Sequence, residues 1–554
     1  MQLPLWIATL LMLATPAKTP TYTNPVLFSD YSDPDLIRVG EDYWMTASSF
    51  TCFPGLQILH SRNLVDWEIV NAALPRLDPA EDFDRPSHGT GVWAPCIRYH
   101  DGMYWIFWGD PDYGIYQIHT TDPCGEWSRP HLVLAGKGLI DTSPLWDDDR
   151  RVWLVHGWAG SRAGFKSVLS VCELDKDCTR VISNQVLVFD GKKNGNDTVE
   201  GPKFYKKDGW YYIFAPSGGV KTGWQLVLRS RSVLGPYEHR TVLHQGATDI
   251  HGPHQGGWVT DTAGDSWFMH FEDRYAWGRV CHLEPMTWLE DGWCIIGEDP
   301  DGDGIGQPVL KYRRPAGTQD LLPGTSALAT TTGFTGASIP PNWQWEANPQ
   351  FNWFMTNPSL GCLRLHCIKK QDGWRNLRDT PNILAQKVVG PAMSFSTKLV
   401  YRPAYAGERV GVVVTGHNYS TLELEFDGER PALVRKECID ATQGGAEQVL
   451  ASLPLDPSPY LTVWIRVDVR DAVVCTFSYS LDGKRFKPFG PDFTGREGHW
   501  IGAKIGYFAI SDIQSNDGRE VRLYRLPSSS RAYPLAFDKK VAAYSKMFSE
   551  IGLI

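Results

Sequence analysis

Through the first 290 residues, polar turns rich in Asp and Gly alternate with short strands that carry adjacent aromatic rings. The unit occurs five times: Val39-Gly40-Glu41-Asp42-Tyr43-Trp44-Met45, His100-Asp101-Gly102-Met103-Tyr104-Trp105-Ile106, Asp148-Asp149-Arg150-Arg151-Val152-Trp153-Leu154, Lys207-Asp208-Gly209-Trp210-Tyr211-Tyr212-Ile213 and Ala263-Gly264-Asp265-Ser266-Trp267-Phe268-Met269. Several copies are followed by a second hairpin signal ending in an aromatic, as from His60-Ser61-Arg62 to Trp67 and from His119-Thr120-Thr121 to Trp127. Asp-Gly suits tight hairpins because both turn positions take positive φ. A repeat of roughly 50 to 60 residues with several strands per copy reads as a propeller blade. Five copies predict a five-bladed β-propeller over residues 20–315. The competing reading, an irregular sandwich with chance hairpins, does not produce so regular a period.

Beyond Pro315 the pattern changes. Residues 316–341, rich in Thr, Gly, Ala and Ser, read as a linker. Period-2 alternation then returns in Leu461-Thr462-Val463-Trp464-Ile465-Arg466-Val467-Asp468-Val469-Arg470, and Leu481-Asp482-Gly483 marks a hairpin. Residues 342–527 are therefore expected to form a β-sandwich, which makes the whole chain all-β. In the tail, 528–554, Phe537, Val541, Tyr544, Phe548 and Ile551 step by four and three, the apolar stripe of a short helix. At the other end, residues 1–17 resemble a signal peptide: an apolar run and then Thr15-Pro16-Ala17, although no Lys or Arg precedes the run. This points to a secreted or periplasmic protein. No stretch is long and apolar enough to span a membrane.

Composition narrows the partners. The net charge of −9 argues against a nucleic-acid backbone. Aromatic residues make up 12% of the chain, which serves sheet cores first and permits a sugar ligand second, because a pyranose face is rich in C–H groups. Among the eleven cysteines, Cys172 and Cys178 are close enough to pair, but no metal-type C-x-x-C occurs, and buried small hydrophobes are an equal reading.

Glycoside hydrolysis needs a proton donor at the leaving oxygen and a second carboxylate across the sugar. Acids that begin blade strands can converge on a propeller axis from distant parts of the chain. Three stand beside Pro or Gly at strand starts, upstream of the first, third and fourth aromatic repeats: Asp33 in Tyr31-Ser32-Asp33-Pro34-Asp35, Asp141 in Ile140-Asp141-Thr142-Ser143-Pro144, and Glu200 in Val199-Glu200-Gly201-Pro202. Each taken alone reads as a turn acid; their shared placement favours a site.

These segments, with Asn24-Pro25, Ser48-Ser49-Phe50, Phe53-Pro54-Gly55, His60-Ser61, Leu64-Val65-Asp66-Trp67, Val92-Trp93-Ala94-Pro95-Cys96-Ile97-Arg98 and His254-Gln255-Gly256, resemble glycoside hydrolase family 43. The resemblance is to its two-domain β-xylosidase and α-L-arabinofuranosidase group. Trp343-Gln344-Trp345 and Asn382-Ile383-Leu384-Ala385-Gln386-Lys387 look like that group's jelly-roll, concanavalin-like sandwich. The resemblance implies an inverting hydrolase that needs no cofactor and acts on oligosaccharide or polysaccharide, releasing terminal xylose or arabinofuranose from xylan- or arabinan-derived glycans. It makes Asp33 the general base, Glu200 the general acid, and Asp141 the group that orients the acid and raises its pKa. Phe53 and Trp93 would line the terminal-sugar subsite and Arg274 would bind hydroxyls, with core aromatics and a structural salt bridge as alternatives. His254 would lie near a calcium or water site on the propeller axis, but Pro253-His254-Gln255-Gly256 departs from the family's Gly-His-Gly. The sandwich can lend a loop that closes the pocket, and no residue of this chain is assigned to it. An endo-acting relative would need an open groove, and a non-catalytic sugar-binding propeller would lack one of the carboxylates.

Overall fold

A computed structural model describes residues 20–317, 328, 334–513 and 520–525. The signal-peptide reading and the C-terminal helical stripe lie outside these residues. Five four-stranded antiparallel sheets follow one another along the chain. Their first strands are Asp35–Val39, Trp93–His100, Leu139–Trp146, Lys203–Lys207 and His254–Thr260. Each aromatic repeat forms the hairpin into the second strand of its blade. The turns at Asp101-Gly102 (φ 48° and 79°) and Asp208-Gly209 (φ 51° and 72°) take the positive angles that the sequence pattern implies.

The doubled aromatics have a geometric cause. Successive side chains of a strand point to opposite faces, so each blade offers one ring to either neighbour. In the first blade Tyr43 joins the core shared with the fifth blade, and Trp44 joins the core shared with the second. Trp267 and Phe268 divide between the first and fourth blades in the same way. The five seams between blades therefore each hold an apolar core of their own.

The ring closes without sharing a strand between blades. Thr21–Thr23 pairs antiparallel with Lys311–Arg313. Buried Asn24 donates from Nδ2 to the carbonyls of Leu283 (2.9 Å) and Val309 (2.8 Å), and its Oδ1 accepts the Leu283 N–H at 2.9 Å.

The rest of the described chain forms a sandwich of two eight-stranded sheets. Leu461–Arg470 lies in one of them and alternates buried and less buried positions, as its sequence pattern predicts. Phe334, inside the stretch read as linker, is fully buried in the sandwich core beside Trp343. The two domains share a backbone bridge: Phe53 N–H donates to the Trp345 carbonyl (3.0 Å), and Trp345 N–H donates back (2.6 Å). None of the eleven cysteines is disulfide-bonded. Cys172 and Cys178 are both buried, and the only exposed thiol is Cys124. Among the described residues no helix is long and apolar enough to cross a membrane.

Asn24 is the most economical test of ring closure. Asn24→Ala leaves the buried Leu283 N–H and the Val309 carbonyl without partners, each of which costs about 1–3 kcal/mol, while the Leu283 carbonyl keeps the Tyr22 hydroxyl at 2.6 Å. We expect urea denaturation to show a loss of at least about 2 kcal/mol in propeller stability. An unchanged midpoint would show that the strand pairing alone closes the ring.

Candidate active site

The inner strand of every blade begins through one residue in left-handed backbone: Asp33 (φ 55°), Ala94 (34°), Asp141 (54°), Gly201 (59°) and Gln255 (36°). In three blades the strand pairing is irregular at the same place, between Trp93 and Cys96, Ile140 and Ser143, and His254 and Gly256. Such a bulge re-aims side chains at a sheet edge. Here it turns Asp33, Trp93, Asp141, Glu200 and His254 into one cavity of about 480 Å³ at the end of the propeller axis. The three carboxylates singled out in the sequence thus share one wall-to-wall space.

Asp33 is buried and well held. Ser48 Oγ donates to its Oδ2 at 2.6 Å while accepting the Ala94 N–H at 2.7 Å. Arg279 lies 3.4 Å from Asp33 Oδ1 and donates to Ser32 Oγ at 2.7 Å. Asp141 accepts the Gly201 N–H at 2.9 Å, and Glu200 Oε1 is 2.9 Å from His254 Nε2.

These acids cannot all be charged together. Burial first, then repulsion from Glu200 and Asp33, pushes the Asp141 carboxyl well above the usual carboxylate range. Burial also works to raise Glu200, but the His254 hydrogen bond and charge, with Arg279 and Lys166, outweigh it and hold that carboxyl low. Asp141 and Glu200 therefore titrate as a pair that retains one proton. Of the two, Asp141 is the carboxyl that its surroundings push toward the protonated form, and Glu200 the one they push toward the ionised form.

Two expected residues lie elsewhere. Phe53 does not line the cavity: its backbone is tied to Trp345, and its ring is fully buried in the core of the first two blades. The ring at the cavity wall is Phe50, turned there by its own left-handed backbone (φ 50°). Arg274 is likewise absent from this cavity, where Arg279 stands instead. The two arginines flank the turn Tyr275–Trp277 and so face different spaces. Among the described residues, no three His, Cys, Asp or Glu side chains converge at His254. Among the described residues only Asp299, Asp301 and Asp303 bring three ligating atoms together, in the loop after the fifth blade.

The sandwich supplies the wall that sequence reading left unassigned. His417 and the segment Glu497–Ile501 line the cavity opposite the carboxylates. The Trp500 ring meets Trp93 edge-on at 4.6 Å, and the Trp500 carbonyl accepts from Ser32 Oγ at 3.4 Å. Behind them Asp30 secures the junction. It accepts the Arg279 N–H at 2.9 Å and also the Gly502 N–H, and it fills the space where a Cβ on Gly278 would sit, 2.4 Å from its Oδ1.

Comparison with known proteins fits this architecture. Residues 22–294 match the model for "Glycosyl hydrolases family 43", and residues 331–521 match "Beta xylosidase C-terminal Concanavalin A-like domain". The chain is 34% identical over 490 residues to a putative beta-xylosidase of Xylanibacter ruminicola, covering 88% of this chain and 86% of that one. It is 30% identical to a beta-xylosidase of Formosa agariphila, covering 89% and 88%. A family-43 protein from Bacillus licheniformis superposes with a TM-score of 0.77 at 25% identity over 91% of this chain and 98% of that one. A five-bladed propeller and a concanavalin-like sandwich, matched in order along nearly the whole length of such relatives, make this chain a member of glycoside hydrolase family 43 and a glycoside hydrolase.

Proposed function

We propose that the enzyme is an exo-acting, inverting pentosidase that releases terminal xylose or arabinofuranose from xylan- or arabinan-derived glycans. The observation that carries the exo reading is the sandwich segment Glu497–Ile501 lying across the cavity. With Trp500 against Trp93, the cavity suits a chain end and not a strand running through it. The pentose reading also draws support from relatives named beta-xylosidase and, in Bacteroides ovatus, a non-reducing end alpha-L-arabinofuranosidase 27% identical over 76% of this chain and 79% of that one.

In this reading the terminal sugar stacks between Trp93, Phe50 and Trp500. Asp33, fixed by Ser48 and Arg279, takes a proton from water as that water attacks the anomeric carbon. Glu200 gives a proton to the departing oxygen. Asp141 raises the proton affinity of the pair, so that the proton can be on Glu200 when the glycosidic oxygen arrives. His254 orients the Glu200 carboxyl. One displacement suffices, with no covalent intermediate, and the chemistry needs no cofactor.

The roles separate kinetically. Glu200→Gln and Asp33→Asn should each lower kcat by roughly 10²- to 10⁴-fold. A leaving group of low pKa should restore much of the Glu200→Gln loss, because its departure needs no acid, and little of the Asp33→Asn loss. Equal restoration in both would reverse or remove the assignment.

Removal of the His254 hydrogen bond tests the proton pair. His254 holds Glu200 low, so His254→Leu should raise the pKa of the acid. Since the acid must be protonated to act, the alkaline limb of kcat/KM should move to higher pH. A limb that stays in place would show that His254 does not govern the acid.

Product analysis tests exo action and inversion together. NMR during early turnover of a linear xylo- or arabino-oligosaccharide should show free pentose and the oligosaccharide shortened by one residue, with the released pentose in the anomeric configuration opposite to the substrate's. Internal cleavage, or retention of configuration, would overturn the proposal.

A further inference from the structure

A second cavity of about 540 Å³ opens at the seam between the fifth blade and the sandwich. Only the turn Asp273–Gly278 separates it from the cavity that holds the carboxylates. Asp273 and Gly278 line the first cavity, Arg274 and Trp277 line the second, and Glu497 of the sandwich lines both. Lys221 of the first cavity also lies 5.9 Å from the ring of Tyr275 in the second.

The groups presented there are unusual for a bare seam. Tyr275 is 64% exposed although its backbone is left-handed (φ 53°), so the turn holds an aromatic face outward at some cost in strain. The Arg274 side chain is 41% exposed; it lies 3.4 Å from Glu272 and over the Phe28 ring, and its guanidinium makes no hydrogen bond to the described residues. His251 approaches Glu272 at 3.6 Å through Nε2, while its Nδ1 is buried without a partner. Carboxylates outnumber cations on this wall, with Asp249, Glu272, Asp471 and Glu497 set against Arg274 and His251. That balance disfavours an anionic ligand. Among the described residues, no three His, Cys, Asp or Glu ligand atoms converge on this wall. An exposed ring, open donors from arginine and open acceptors from carboxylates are what a neutral polyhydroxylated ring binds: its C–H face stacks and its hydroxyls both give and accept hydrogen bonds.

We propose that this second cavity is a distal leaving-group subsite, which binds a neutral sugar residue of the same glycan beyond the residue adjoining the scissile bond. The inference rests on the reading of the first cavity as the place of cleavage. The chain leaves that cavity past Lys221 and Glu497 and lays its next sugar against Tyr275 and Arg274. The subsite gives the enzyme a preference for oligosaccharides over disaccharides without opening the terminal-sugar pocket.

Chain-length kinetics test this directly. Aryl β-xyloside, aryl α-arabinofuranoside and the matching disaccharides report the first cavity alone, and the tri- and tetrasaccharides report both. The wild type should show kcat/KM rising from disaccharide to trisaccharide, mainly through KM, as uniform binding requires. Tyr275→Ala should cut the ratio of trisaccharide to aryl-glycoside kcat/KM by roughly tenfold, the loss of one stacked ring and its hydrogen bonds. Arg274→Ala provides an independent second variant, and thermal melting of both checks the fold. A wild type active on aryl glycosides but indifferent to chain length, or variants that leave the ratio unmoved, would overturn the subsite while leaving the catalytic reading intact. A wild type inactive on every glycoside would remove the reading on which both stand.

Discussion

A left-handed residue at the start of each inner strand is the constraint on which the cavity depends. An ordinary extended strand would send alternate side chains into the two seams beside the blade, where apolar cores already fill the space. The kink at Asp33, Ala94, Asp141, Gly201 and Gln255 breaks that alternation once per blade and turns a side chain toward the axis. Non-glycine residues in this conformation cost about 1 kcal/mol or more. Aspartate tolerates it better than most residues, because its short side chain can hydrogen-bond locally. Two of the three cavity acids are thus residues that suit the backbone they occupy, and the third, Glu200, precedes a glycine that takes the left-handed angle for it.

The constraint also governs what the sequence reveals. The doubled aromatics were legible because a period of two is intrinsic to a strand, and the blade count followed from them. The three carboxylates were legible because the kink leaves a trace: acid beside Pro or Gly just before an aromatic repeat. Phe50 and Phe53 were not separable on the same grounds. They lie three residues apart in one turn, and only the left-handed angle at Phe50 and the Phe53–Trp345 backbone bridge decide which ring reaches the cavity. Arg274 was expected from the family resemblance to bind hydroxyls, but the short helical turn after it faces it away, and Arg279 on the return strand takes the place beside Asp33. Ser48 stood in a segment that carries the family resemblance, but its role was not legible, since that role is a hydrogen bond to Asp33. The sandwich residues were illegible for a plainer reason: the wall they form exists only once two domains dock.

That docking is electrostatically committed. Lys387 and Lys504 are neighbours across two sandwich strands at the seam, Lys504 buried and Lys387 half-buried. Lys504 is paired with Glu346 and lies 3.2 Å from Cys52 Sγ of the first blade. Burial lowers the pKa of Lys387 and raises that of Asp30, which faces it, so their attraction only partly offsets what each loses by leaving water. Such groups contribute little net stability, but they penalise any misaligned seam, because displacing one partner leaves the other buried and uncompensated.

Asp30 carries this penalty into the site. It is three residues before Asp33, it accepts the N–H of Arg279, whose side chain reaches Asp33, and it accepts the N–H of Gly502, two residues after Trp500. The segment that bears one carboxylate, the arginine beside it and the aromatic lid from the other domain therefore share one anchor. A shift of the sandwich cannot be confined to the lid. It must either break the Gly502 bond or move Asp30, and movement of Asp30 moves Arg279 with it. The propeller supplies Asp33, Asp141 and Glu200, yet their arrangement is held from the seam, so the two domains behave as one catalytic unit and not as an enzyme with an appended module.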